Sequence, residues 1–231
     1  NGRYGTKEMM GIFSEQKKID YQLEIEGSAA ISQSEISMIS KKIGKNIFNV
    51  SMSGKITAKR IKQLEAKSDH DTAALVEALS EKCTKEARPW IHYGLTSNDL
   101  VDTSNSMQMR DALKIIESKV AKMASILAEK AVKHGKIPAV GRTHGQHASI
   151  ISFGLKFANW AVEMAKHVER IEEIKKRILI CKTLGVVGTG SLMGAESLEV
   201  QKRVAKRLDL YPAEVATQIV PRERYAEYVF E

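Results

Sequence analysis

Leu113, Ile116, Val120, Met123 and Leu127 recur at steps of 3, 4, 3 and 4. That spacing puts one apolar seam on a helix and is useless to a strand, whose faces alternate every second residue. Gly135 and then Pro138 end the helix. A second seam follows at Phe153, Phe157, Trp160, Met164, Val168, Ile171, Ile174 and Ile178. Two long helices with heptad-like seams suit antiparallel packing in a bundle. Two alone cannot bury both seams, so more chain or other subunits must supply the rest.

The remaining sequence also reads as helix. A segment over 7–33 starts near Thr6 and carries Met10, Phe13, Ile19, Leu23 and Ile25. Shorter helices are expected over 35–43, 57–66 and 69–84. Ser53-Gly54 separates the first two, and Arg88-Pro89 breaks the chain before Trp90. Only 6% of residues are aromatic and sustained alternation is scarce, so a sheet has no obvious place. The expected class is all-α. Residues 1–108 would form a small helical N-terminal domain, and 109–231 the first part of a central helical bundle.

The formal charge of +8 admits nucleic acid, an anionic surface or an anionic substrate. The 36 basic residues are interleaved with 28 acidic ones, as in Glu172-Glu173-Ile174-Lys175-Lys176-Arg177. They read as solvated helix faces and not as a nucleic-acid footprint. No apolar run approaches the roughly 20 residues of a membrane helix, and no signal peptide opens the chain. Cys83 and Cys181 match no metal or redox spacing, as expected of reduced thiols in a cytoplasmic protein.

Three polar, glycine-containing segments look wrong for bundle core: His92–Thr103, Gly141–His147 and Thr183–Gly194. In the second, His144 and His147 sit among small residues that admit a ligand. Histidine is the usual acid or base near neutral pH, while a metal site would want a third ligand that is not nearby. A structural polar turn is the plainer reading. In the first, Thr96-Ser97-Asn98-Asp99 offers donors at a helix start, which can bind an anion or simply cap the helix. Asp99 and Asp102 would oppose an anion and are expected to hold the loop by hydrogen bonds. Upstream, His70 lies between Asp69 and Asp71 at another helix start. There its protonated form is favoured as a partner for phosphate or carboxylate, unless it is only a surface cap.

Taken together, Arg3-Tyr4-Gly5, Ser68–Thr72, His92–Ser97, Thr143–His147 and Ala216-Thr217-Gln218, with Arg222 and Arg224 downstream, resemble the fumarase/aspartase superfamily. Within it they are similar to the adenylosuccinate lyase family, over essentially the whole chain and in the same order. The resemblance implies β-elimination of fumarate from adenylosuccinate, giving AMP, and from SAICAR, giving AICAR, with no metal or other cofactor. His144 would be the general acid and His70 its assistant. Thr96, Ser97 and Thr143 would hold the succinyl carboxylates. Arg3 and Tyr4 would reach the phosphate and ribose, His92 would lie by the phosphate, and Gln218 would contact substrate near the reacting end. Asp69 and Asp71 flank His70 at the nucleotide, with Asp69 where related bacterial lyases often carry Arg. The resemblance further implies a homotetramer whose active sites are shared between subunits.

The superfamily's third motif, a mobile loop carrying the base serine, does not occur in these residues. The sequence opens at Asn1 and stops within a helix-like stretch, Arg222–Glu231, so it reads as a portion of a longer protein and as no competent catalyst by itself. Argininosuccinate lyase activity is the neighbouring alternative. A non-catalytic helical scaffold or nucleic-acid-binding module is the alternative of another class.

Overall fold

The computed structural model describes residues 3–230. Five short helices come first: α1 (Lys7–Ile12), α2 (Glu15–Glu35), α3 (Lys41–Ser51), α4 (Ala58–Ser68) and α5 (Asp71–Lys82). A 3₁₀ turn at Arg88–Trp90 leads to the long α6 (Ser97–Lys133). Next come strands β1 (Pro138–Thr143) and β2 (Gln146–Ser152), α7 (Gly154–Ile178) and β3 (Ile180–Cys181). The chain continues with α8 (Ser197–Arg207), β4 (Tyr211–Pro212) and α9 (Glu223–Phe230). Helices dominate throughout, as the seams require.

Capping residues set the helix starts. Thr6, Ser14, Ser40, Thr57 and His70 each accept a hydrogen bond from the N–H three residues on. The single helix expected over 7–33 is therefore two, because Ser14 caps a fresh start after Phe13. The helix expected over 35–43 begins instead at Lys41. Ser37 takes a left-handed conformation (φ 64°) and Ser40 supplies the cap.

The chain forms two compact units, one of Asn1–Asp111 with Lys176–Tyr228, the other of Ala112–Lys175 with Val229–Glu231. The first is built around α2, which is buried on nearly all sides. Ile19, Leu23 and Ile25 are buried, as are Ile47, Leu64, Leu75 and Leu79 of the helices packed against α2. Small residues set how closely α2 and α3 cross. A Cβ at Gly27 would lie 2.1 Å from Ser51 Oγ, and one at Gly44 would lie 2.9 Å from the Ala30 carbonyl oxygen. In the same unit β3 and β4 form a two-residue parallel pair, with Tyr211 N–H donating to Leu179 O at 2.9 Å.

The second unit corrects the expectation that no sheet has a place. Pro138–Ser152, read in part as a polar turn, is an antiparallel hairpin, Thr143 pairing with Gln146. His144 and Gly145 are its two-residue loop and both have positive φ, 50° and 73°. This is the geometry of a type I′ turn, whose twist matches the strands it joins. Gly141 sits where the ladder slips register. At the base, Phe153 N–H donates to Ile137 O at 2.7 Å, and the His134, Phe153, Phe157 and Trp160 rings stack edge to face or tilted. Much of the apolar surface of this unit stays open, with Ile150 81% exposed and Met123 54%.

Gly44→Ala is expected to cost about 1–3 kcal/mol, because its methyl meets backbone that cannot turn aside. Gly54→Ala meets no neighbour, so only its left-handed φ of 68° opposes it, at about 1 kcal/mol. Urea unfolding of the two variants checks the order.

Candidate active site

The loop from Ile91 to Thr96 is clamped from below by α2. Glu26, whose side chain is 1% exposed, receives the His92 backbone N–H on Oε2 at 3.0 Å and faces ring Nδ1 with Oε1 at 2.5 Å. Gln33 donates to Tyr93 O at 2.8 Å. His92 and Gly94 both take positive φ, 61° and 77°. A Cβ on Gly94 would meet Met193 Cγ at 2.5 Å, so the loop is also sealed from above. Burial works against the imidazolium of His92. The hydrogen bond and charge of Glu26, helped by the charge of Asp99, outweigh it and raise the pKa above the usual histidine value.

Thr96 immediately precedes α6, and Asp99 in its first turn accepts the Thr96 N–H at 3.1 Å. The same carboxylate accepts Gly185 N–H at 2.9 Å and pairs with the Lys182 ammonium, both side chains being fully buried. Lys182 also donates to Gly185 O at 2.8 Å. Burial pushes the Asp99 carboxyl above its ordinary value, against the pull of Lys182 and the two backbone N–H groups. Three residues further, Asp102 accepts Val220 N–H at 2.8 Å and the Arg222 guanidinium at 2.5 Å. Thr103 Oγ1 donates to Lys182 O and receives Lys182 N–H, each at 3.1 Å. Ser106 donates to Ile180 O at 2.6 Å and accepts from Arg224 at 2.7 Å. So the His92–Thr103 segment does not stay out of the core. Its last seven residues are the first two turns of α6, and Asp99, Asp102 and Thr103 are wholly buried. The expectation that Asp99 and Asp102 hold the loop through hydrogen bonds matches this geometry.

The first unit thus brings His92, Thr96 and Ser97 to one loop and helix start. Thr96 is buried and Ser97 half-buried. His70 stands elsewhere as the exposed cap of α5, where Nδ1 accepts Ala73 N–H at 3.2 Å. The same Nδ1 lies 3.7 Å from Asp71 Oδ1. Asp71 Oδ1 accepts Thr72 N–H at 2.6 Å, and Asp69 ends α4 in a left-handed conformation. Arg3 and Tyr4 are exposed, the guanidinium 5.6 Å from the ring centre. Gln218 is exposed beyond Ala216, whose carbonyl packs on Gly188. Thr143 and His144 belong to the second unit, exposed at the hairpin turn. Burial raises Cys83 to about 11 and Cys181 to about 12, so neither thiol is a nucleophile at neutral pH.

Sequence patterns did not single out Glu26 and Lys182. Their signal was a charge at a core-spaced position: Glu26 follows Leu23 by one helical step and precedes Ala30 on the same buried side.

The model of a protein family described as lyase matches residues 2–231. The chain belongs to this lyase family. Adenylosuccinate lyase of Methanocaldococcus jannaschii is 41% identical over 99% of the chain, which covers 49% of that protein. The enzyme of the same name from Archaeoglobus fulgidus is 38% identical over 98% of the chain and 50% of its own length. The chain therefore spans about half the length of the curated relatives it matches. Among solved structures, fumarate lyase from Mesorhizobium sp. BNC1 superposes with a TM-score of 0.85 at 30% identity, over 94% of this chain and 51% of that one. The 3-carboxy-cis,cis-muconate lactonizing enzyme of Pseudomonas putida gives 0.87 at 27% identity, over 98% and 52%. The all-α expectation agrees with these lyase-family neighbours.

Lys182→Met is expected to destabilise by about 3–5 kcal/mol, since it strands the Asp99 carboxylate in the core. Asp99→Asn with Lys182→Met should recover part of that loss in a urea double-mutant cycle. The His92–Glu26 pair also predicts a pH dependence. Because the folded-state pKa of His92 is the higher one, its contribution to stability is complete below 6.5, the ordinary imidazole value, and fades as pH rises through the raised value. The stability gap between wild type and His92→Asn should narrow over that window when unfolding is followed at several pH values.

Proposed function

We propose that the protein to which this chain belongs eliminates fumarate from succinyl-purine nucleotides: adenylosuccinate to AMP, and SAICAR to AICAR. The observation that carries the reading is the near-complete match of the chain to adenylosuccinate lyases at 36–41% identity. Thr96 and Ser97 at the start of α6 and His144 at the hairpin tip support the reading.

The chemistry asks for three things. A base removes a weakly acidic proton beside a carboxylate, donors stabilise the extra negative charge, and an acid meets the departing nitrogen. The start of a 37-residue helix offers free N–H groups and the positive end of its dipole. Lys182 neutralises Asp99, the acidic residue of that first turn, and so removes a charge that would repel a succinyl carboxylate. Thr96, Ser97 and Thr143 are assigned to the carboxylates. His144, in whose ring the described residues show no hydrogen bond, is assigned as the acid. His70 is assigned to assist it, its Nε2 being the ring nitrogen that the capping bond leaves over. Arg3, Tyr4, Asp69, Asp71, His92 and Gln218 are assigned to the rest of the nucleotide. The base is assigned to the superfamily's third motif, which lies outside these 231 residues.

In the same reading 1–108 is an N-terminal domain and 109–231 the opening part of a bundle domain. The assembly is a homotetramer with active sites shared between subunits, working in the cytoplasm. The exposed seam residues Ile116, Met123 and Trp160 support the assembly. Among the described residues no helix is long and apolar enough to cross a membrane.

Fumarate release from adenylosuccinate by the full-length gene product, with argininosuccinate in parallel, tests the proposal. Release from adenylosuccinate alone is expected, and release from argininosuccinate alone would move the assignment to the neighbouring activity. In that enzyme His144→Ala should lower kcat by about 10²–10⁴-fold, the span of a lost general acid. Near-wild-type turnover would remove His144 from the role.

A further inference from the structure

We propose that Glu26 is a positioning residue of the active site, holding His92 as a fixed donor whose Nε2–H faces an anionic group of the substrate. The claim deepens the function proposed above and rests on it for the substrate.

Glu26 is a carboxylate in the middle of the most buried helix of the first unit, and both its oxygens go to one residue. Oε2 takes the His92 backbone N–H and Oε1 faces Nδ1. A structural carboxylate could have capped any loop amide from the surface. This one lies beside the close α2–α3 crossing at Gly27 and reaches a ring. The pairing fixes three properties of His92 together. Nδ1 must carry a proton, since a carboxylate only accepts. The ring plane is set, because backbone and side chain of His92 are tied to the same group. Nε2 is left as the outward nitrogen, with no hydrogen-bond partner among the described residues, on a side chain that keeps 22% of its surface exposed.

The electrical surroundings select the donor form. The groups facing His92 are Glu26 from α2 and Asp99 from α6, the latter neutralised by Lys182. The unmatched negative charge beside the ring is therefore that of Glu26, and it favours a proton on both ring nitrogens. A ring so held presents a charged N–H in one direction, which suits a phosphate or carboxylate oxygen and not a neutral base. Leu95, Thr96 and Ser97 follow within five residues, so the donor belongs to the same loop as the α6 helix start.

Glu26→Gln keeps the shape and one acceptor, removes the charge, and turns an NH2 toward one of the two His92 N–H groups. In the full-length enzyme it should raise KM for adenylosuccinate roughly tenfold, the worth of a charge-assisted bond made neutral, with kcat within about threefold of wild type. The alkaline rise of KM should shift to lower pH. Added to His92→Gln, which leaves the backbone N–H on Glu26 in place, the substitution should have a much smaller effect than it has alone. Wild-type KM and pH profile in Glu26→Gln, or full additivity with His92→Gln, would overturn the inference. If Glu26→Gln does not fold, ¹⁵N spectra of the wild-type His92 ring decide it. Both nitrogens protonated at neutral pH supports the claim, and an unprotonated Nε2 overturns it. A wild-type enzyme that released no fumarate from adenylosuccinate would instead overturn the functional reading.

Discussion

A row of polar side chains on α6 organises the first unit. Asp99, Asp102, Thr103 and Ser106 stand at i, i+3, i+4 and i+7, the spacing that elsewhere in this chain is given to leucine and isoleucine. All four are buried. A buried hydroxyl or carboxylate without a partner costs several kcal/mol, so each must be met. The groups that meet them come from Ile180–Gly185 and Val220–Arg224, some 80 to 120 residues away along the chain. An apolar seam tolerates sliding, because one methyl contact resembles the next. A row of directional bonds admits one register, and the His92 loop and the returning chain inherit their positions from it.

The architecture was legible because the seams at Leu113–Leu127 and Phe153–Ile178 repeat at a period only helices have. The break at Ser14 and the start at Lys41 were harder, since they hang on single capping hydroxyls and not on any pattern of polarity. The hairpin went unread for a related reason. Its strands are short and mostly exposed, so burial imposes no alternation, and the signal was confined to His144-Gly145, two residues able to take positive φ. The polar start of α6 was misjudged as non-core because composition alone does not show that partners wait 80 residues downstream. Thr96 and Ser97 were legible as a helix start, whereas Glu26 and Lys182 hid among ordinary charged residues.

Three of the motif histidines show how backbone setting, more than neighbouring sequence, decides what a ring can do. His70 has acidic residues on both sides, yet its helix-capping bond engages Nδ1 as an acceptor. His92 has no acidic neighbour in sequence and is held by a buried carboxylate 66 residues away. His144 is placed by the backbone, in a two-residue loop whose conformation the strands enforce.

The directional row on α6 also bears on how such chains can change length over time. One residue inserted between Asp99 and Ser106 would turn everything after it by about 100° around the helix and slide it about 1.5 Å along. Half of the buried bonds would be lost at once, with no neighbouring register in which they re-form. Length variation is therefore shut out of these two turns and diverted to segments such as Met52–Lys55, where the residues are exposed. Lineages carrying this fold should diverge by loop growth around a stretch of unvarying length, even where the side chains outside the row are replaced.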